Sequence, residues 1–231
     1  MNEPTTTSHS TGGTVPPAGS GGPRGRTPRP LPVLVLADVS GSMEGEKIIQ
    51  LNRSIHAMFR SFATADTPRG LVHAAVITFG GESAVLHQPM TPANKLQWTD
   101  MAPGGRTPFG HALQLAREVL EDEQQVPTRA FPPTLVLVSD GAPTDEWIDP
   151  LDDLLETEVC RSALRLSLGI GVDRTSETTR PLEMFKTPGM PMMTSENAHE
   201  ISTRFRWITA TMTQNFQRMP GSRSISIEDL A

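Results

Sequence analysis

A chain of 231 residues with 20 basic and 26 acidic side chains carries a formal net charge of −6, and its isoelectric point lies near 5.5. That acidic balance argues against nucleic acid as a partner, since phosphate binding needs a concentrated basic face. The single cysteine, Cys160, excludes an internal disulfide framework and a cysteine-based zinc cluster.

No run reaches eighteen consecutive apolar residues, so no membrane span or membrane partner is expected. The start, Met1 to Thr7, lacks the basic residues and apolar stretch of a secretory signal. A cytoplasmic protein is the expectation.

Residues 1–30 are rich in Thr, Ser, Gly and Pro and end in Arg24, Arg26 and Arg29. So little apolar surface cannot offset the entropy of ordering, and a disordered tail is expected. The next run, Val33 to Ala37, is continuously apolar and reads as a strand buried on both faces. It ends in Asp38-Val-Ser40-Gly-Ser42. A helix over 45–63 follows, with Ile48, Leu51, Ile55, Met58, Phe59 and Phe62 on one stripe. Val72–Phe79 and Ala84–Gln88 read as two strands joined tightly enough for a hairpin, the second antiparallel at a sheet edge.

Gly110–Glu123 reads as a helix whose acidic end, Glu121-Asp-Glu123, is a solvated terminus. Thr134–Val138 is a second doubly buried strand, ending in Ser139-Asp140-Gly141. Asp149 and Pro150 suit the cap and first position of another helix. Leu164–Val172 is a strand, Glu177–Lys186 a helix, and Pro191–Thr194 a short last strand. The cluster Met190-Pro-Met-Met193 reads as strand core. Asn197 and Glu200 have capping-box spacing ahead of a helix with Ile201, Phe205, Ile208, Met212 and Phe216 on one face. Pro220-Gly221 stops it, and residues 220–231 form a flexible tail.

Strands alternating with helices imply one α/β domain over residues 31–219. It is expected to be doubly wound on a mostly parallel sheet, with one short antiparallel edge strand and helices on both faces. In such sheets ligands bind outside the carboxyl ends of the strands. Asp38, Ser40, Ser42 and Asp140 therefore lie where a site belongs. Their oxygens are hard donors, suited to Mg²⁺, Mn²⁺ or Ca²⁺. Asp38 and Ser40 also suit a helix cap, Asp140-Gly suits a turn, and Asp145 suits either solvent or a cap. The six histidines do not cluster, and His73 reads as packed or edge-exposed. Cys160 reads as a packed, unactivated thiol near a helix end.

These residues resemble a known family. Asp38-x-Ser40-x-Ser42 is similar to the metal-ion-dependent adhesion site (MIDAS) of von Willebrand factor type A (vWA) domains. Gly104-Gly-Arg-Thr107-Pro resembles the second metal loop and Val138-Ser-Asp140-Gly the third. Further details resemble the bacterial TerY type: Leu36-Ala-Asp-Val-Ser-Gly-Ser-Met43, Val76-Ile-Thr-Phe79, Asp140-Gly-Ala-Pro-Thr-Asp145 and Phe205-Arg-Trp207. Arg106 departs from that pattern, where a third glycine is more usual.

The resemblance implies a metal held directly by Ser40, Ser42 and Thr107, with Asp38 and Asp140 acting partly through water. An open position would take a partner's carboxylate. It also implies an adaptor role in stress response or tellurium resistance, with a Ser/Thr kinase and a metal-dependent phosphatase as partners. A Mg²⁺-dependent phosphatase-like hydrolase is the enzymatic alternative. It expects a second aspartate where this chain has Ser40, and no phosphate loop or nucleophile elbow is present. The chain is therefore expected not to be an enzyme. A structural subunit of a larger assembly is the third reading.

Overall fold

The apolar run at Val33 is the middle of a longer strand. β1 spans Arg29–Asp38 and is buried from Pro30 onward. A strand covered on both faces has no solvent side, which is why its sequence does not alternate. The remaining strands are β2 (Gly70–Gly80), β3 (Ser83–Pro92), β4 (Thr134–Ser139), β5 (Leu164–Ile170) and β6 (Met193–Ser195). The helices are α1 (Glu46–Thr64), α2 (Phe109–Glu121), α3 (Ile148–Glu156), α4 (Glu158–Arg161), α5 (Arg180–Phe185) and α6 (Ala198–Arg218). This computed structural model describes Met1 and residues 28–64, 70–173 and 176–218, with side chains as far as Gln214.

The six strands form one sheet in the order β3-β2-β1-β4-β5-β6. β2 and β3 are an antiparallel hairpin at the edge, and every other pairing is parallel. The chain passes from β1 to β2 on one side and later returns to β4 on the other. The carboxyl ends of β1 and β4 thus flank the point where the strand order reverses, the place such sheets use for binding.

Alternate residues of β1 feed two cores. Leu31, Val33, Val35 and Ala37 meet the stripe of α1 and residues Ile201, Phe205, Ile208 and Met212 of α6. Leu34 and Leu36 face the opposite layer, built from Phe109, Leu113 and Ala116 of α2, Leu151 and Leu154 of α3 and Phe185 of α5. Each such side chain, removed from water, contributes about 1.5–3 kcal/mol before the opposing entropy is counted. The expected doubly wound α/β architecture is what the chain adopts.

Several boundaries differ from expectation. The first strand begins at Arg29 rather than Val33, and Arg29 is tied down. Its Nε donates to the Arg129 carbonyl at 2.7 Å, and its guanidinium lies 3.8 Å from the Phe131 ring centre. Asp149 does not cap α3. Trp147 holds the cap position, so Asp149 and Pro150 fall second and third in the helix. Proline is tolerated there because the first-turn amides have no intrahelical acceptor. The cap bond comes from outside, with Ile148 N–H donating to Glu146 Oε1 at 2.8 Å.

The segment 177–186 opens as a tight turn of helix, Glu177–Thr179, before α5. Of the cluster Met190–Met193 only Met193 lies in β6; Met192 just before it is also buried, Met190 is half-buried and Pro191 exposed. At α6 the Asn197 side chain accepts from Glu200 N–H at 3.3 Å. Glu200 reaches back to Glu196 N–H at 3.2 Å, one residue earlier than in a standard capping box. The tails expected over 1–30 and 220–231 lie outside the described residues, apart from Met1 and residues 28–30.

Candidate metal centre

Asp38 anchors the site. Ala37 pairs with Val138, so the next residues of the two strands, Asp38 and Ser139, become neighbours. The Asp38 side chain is fully buried. Its Oδ1 accepts from Ser40 N–H at 2.8 Å, and its Oδ2 accepts from Ser139 Oγ at 2.5 Å. Burial pushes its pKa up, outweighing the lowering effect of the Ser139 and Ser40 hydrogen bonds, and the negative charge of Asp140 adds to the rise. This carboxylate is fixed in orientation but short of positive charge.

From Asp38 the site extends toward solvent through hydroxyls. Ser40 Oγ lies 3.0 Å from Ser42 Oγ. Ser42 Oγ donates to Asp140 Oδ1 at 2.7 Å. Ser40 precedes a short helical turn, Gly41–Met43, but its hydroxyl makes no cap bond. The capping alternative for this stretch therefore fails. Asp140 is more than a turn residue, because its other oxygen accepts from Lys47 Nζ at 2.5 Å.

Thr107 reaches the same rim by a different route. Its N–H donates to Thr144 Oγ1 at 3.1 Å, and its carbonyl accepts from Thr144 N–H at 3.0 Å. The residue is buried. Among the described residues no hydrogen bond engages its hydroxyl. Asp38, Ser40, Ser42 and Asp140 thus form one linked set, and Thr107 stands on the adjoining loop with a free oxygen.

The loops that carry these groups are laced by backbone bonds. Gly104 N–H donates to the Val39 carbonyl at 2.7 Å, Gly41 N–H to Gly105 at 3.0 Å and Gly81 N–H to Gly104 at 2.7 Å. Gly105 has φ +72°, and a Cβ on it would come 2.2 Å from Gly81 Cα. Asn52 of α1 braces the approach to this loop. Its amide donates to the Met101 carbonyl at 3.0 Å and accepts from Met101 N–H at 2.8 Å. Asn52→Ala leaves both buried backbone groups unpaired, and a loss of about 2–4 kcal/mol in urea unfolding is expected.

Asp145 resolves as a cap, on a helix distant in sequence. Its Oδ1 accepts from Gly110 N–H at 3.0 Å and its Oδ2 from His111 N–H at 3.1 Å, placing its charge at the α2 N-terminus. Gly110 allows this approach, since a Cβ there would lie 1.9 Å from the Glu146 carbonyl oxygen.

Ser139, Lys47, the Gly81–Gly105 contact and the particular helix that Asp145 caps were not anticipated. Lys47 did leave a sequence signal. It is the second residue of α1, where the helix dipole mildly disfavours a cation and an acid nearby offsets that cost. His73, half-buried in β2, has its pKa lowered by desolvation and then by Arg129. Cys160 is fully buried, and desolvation raises its thiol pKa, so it is packed and unactivated. Among the described residues no group of three or more His, Cys, Asp or Glu could hold a metal. The candidate centre depends instead on hydroxyls beside two carboxylates. All its donors are oxygen, and the buried, charge-poor Asp38 beside them fits a hard divalent cation.

An open, mostly parallel α/β sheet with an oxygen-lined rim at its switch point defines the class. Residues 33–142 match the model of the von Willebrand factor type A domain, and the fold is that of a vWA domain.

Solved structures with this fold come from distant sources. One is proximal thread matrix protein 1 from the mussel byssus with a zinc-occupied MIDAS motif, at 19% identity and a TM-score of 0.63, covering 79% of this chain and 48% of that one. Another is a von Willebrand factor type A protein from Catenulispora acidiphila, at 16% identity and TM-score 0.57, covering 80% and 43%. A third is the vWF domain of the type V pili tip protein Mfa5 from Porphyromonas gingivalis, at 12% identity and TM-score 0.59, covering 84% and 98%. This chain spans about half the length of the mussel protein. No curated protein matches the sequence.

Proposed function

We propose that this protein is a metal-ion-dependent docking module. Ser40, Ser42 and Thr107 would hold a divalent cation directly, with Asp38 and Asp140 acting partly through water, Mg²⁺ in preference to Mn²⁺ or Ca²⁺. A carboxylate from a partner protein would complete its coordination. The observation that carries this reading is the Ser40–Ser42–Asp140 chain of oxygens above a buried, charge-poor Asp38. Neutral hydroxyls leave a bound cation with residual positive charge. That charge makes an acidic side chain the favoured last ligand and fixes its register. Mg²⁺ keeps waters and prefers octahedral geometry, so one exchangeable position is natural.

The chain's own residues do the positioning. Ser139 and Ser40 N–H orient Asp38, Ser42 orients Asp140, and the glycine lacing presents Thr107. Arg106 sits exposed beside Thr107 and offers a second point for an acidic partner. The protein acts by binding, without chemistry of its own. By its likeness to TerY-type sequences, it serves in the cytoplasm of a bacterium as an adaptor in a stress or tellurium-resistance system. A Ser/Thr kinase and a metal-dependent phosphatase are the expected partners.

The test is capture of such a kinase or phosphatase with and without chelator. Recovery in Mg²⁺ that is lost in EDTA is expected, and recovery that ignores EDTA would sink the reading. Turnover of a phosphoester by the pure chain, abolished by Asp38→Asn, would show an enzyme instead.

A further inference from the structure

We propose that Lys47 is a built-in counter-cation of the rim, which holds Asp140 and lowers the affinity of the site for a divalent metal. The inference rests on the docking reading above and concerns how that site is regulated.

Lys47 Nζ donates to Asp140 Oδ2 at 2.5 Å and to the Ser42 carbonyl at 3.2 Å. One ammonium therefore ties the third loop to the first. The Asp140 side chain is 1% exposed and that of Lys47 34%. A buried carboxylate without a partner is strongly disfavoured, and this contact, together with the Ser42 hydroxyl, holds Asp140 in place in the metal-free protein. The helix adds to the arrangement. Lys47 lies in the first turn of α1, where the helix dipole repels a cation. The hydrogen-bonded attraction comes from Asp140 and the Ser42 carbonyl. On its other side Lys47 faces the turn after β5, with its Nζ 4.0 Å from the position of a Cβ on Gly171.

The same contacts set up a competition. Asp140 Oδ1 faces Ser42, in the candidate set, and Oδ2 faces Lys47. A divalent charge drawn to this carboxylate meets a fixed positive charge within a few ångströms, in surroundings that screen poorly. Lys47 must yield ground for the metal to be held tightly. The lysine is therefore an affinity-setting residue. It keeps the rim ordered when metal is scarce and raises the metal concentration at which the docking position becomes available.

The test is Mg²⁺ calorimetry on the full chain, comparing wild type with Lys47→Met and Lys47→Arg, with thermal unfolding of each in EDTA and in saturating Mg²⁺. Lys47→Met should bind Mg²⁺ roughly tenfold more tightly or better, the scale on which outlying groups tune metal sites. It should also melt lower than wild type in EDTA, and saturating Mg²⁺ should narrow that deficit. Lys47→Arg keeps the charge and should stay near wild-type affinity.

Lower or unchanged affinity in Lys47→Met, with wild type still binding, overturns the inference and leaves the docking reading intact. Absence of Mg²⁺ binding in all three proteins overturns both. Binding by Lys47→Met alone supports the inference in its strongest form.

Discussion

Asp38→Asn is expected to weaken Mg²⁺ binding by about 100-fold or more while leaving the metal-free fold at least as stable as wild type. Asparagine has the shape to replace the acid. Its Oδ1 can accept from Ser40 N–H, and its Nδ2 can donate to Ser139 Oγ, because a hydroxyl both donates and accepts. Only the charge disappears. In the metal-free wild type that charge is a burden, since burial raises the Asp38 pKa above its ordinary value of 3.8.

The sign follows from proton linkage. A folded state with the higher pKa binds the proton more tightly than the unfolded state. Wild-type stability therefore falls as pH rises from about 3.8 through the folded pKa. Asp38→Asn lacks this penalty. In EDTA its advantage should be present at pH 7 and vanish below about 3.8. Urea unfolding across pH measures the difference, and calorimetry measures the lost metal. Wild-type Mg²⁺ affinity in the variant would remove Asp38 from the centre.

Gly105→Ala should damage both stability and the site. The residue occupies the left-handed region at φ +72°, and its α-carbon is packed against the backbone of Gly81. An added methyl at 2.2 Å from Gly81 Cα has no flexible side chain to push aside. The second loop must move, which strains its bonds to Val39, Gly41 and Gly81. A left-handed alanine costs about 1 kcal/mol, and overpacking adds typically 1–3 kcal/mol. A total loss near 2–4 kcal/mol is expected in denaturant unfolding. Because Thr107 follows two residues later, metal affinity should fall as well. A variant that keeps both wild-type stability and wild-type affinity would show that the loop has no part in the centre.

What could be read from the sequence follows the range of the interactions involved. β1 and β4 were legible because burial on both faces imposes an uninterrupted apolar run. Asp38, Ser40 and Ser42 were legible because they follow such a run within five residues. The β2–β3 hairpin was legible from the few residues between its strands. Partnerships between distant residues were not. Ser139 meets Asp38 only because β4 pairs with β1. Asp145 caps a helix that begins 36 residues earlier. Asn52 braces a loop 49 positions away. Gly105 looked like part of a motif, and its real constraint is the backbone of Gly81. At Asp149-Pro150 one local rule pointed to a cap at Asp149, and another local contact, Glu146 accepting from Ile148 N–H, started the helix earlier.

The tether formed by Arg29 has a geometric consequence. It fixes the amino end of β1, and Asp38 lies at the other end of a strand of 10 residues, about 30 Å away at 3.3 Å per residue. α6 leaves the carboxyl end of β6 and runs back along the sheet for 21 residues, about 31 Å at 1.5 Å per residue. The chain thus enters and leaves the domain at the pole opposite the rim. A tag, surface linkage or neighbouring domain attached at either point would face away from the candidate centre.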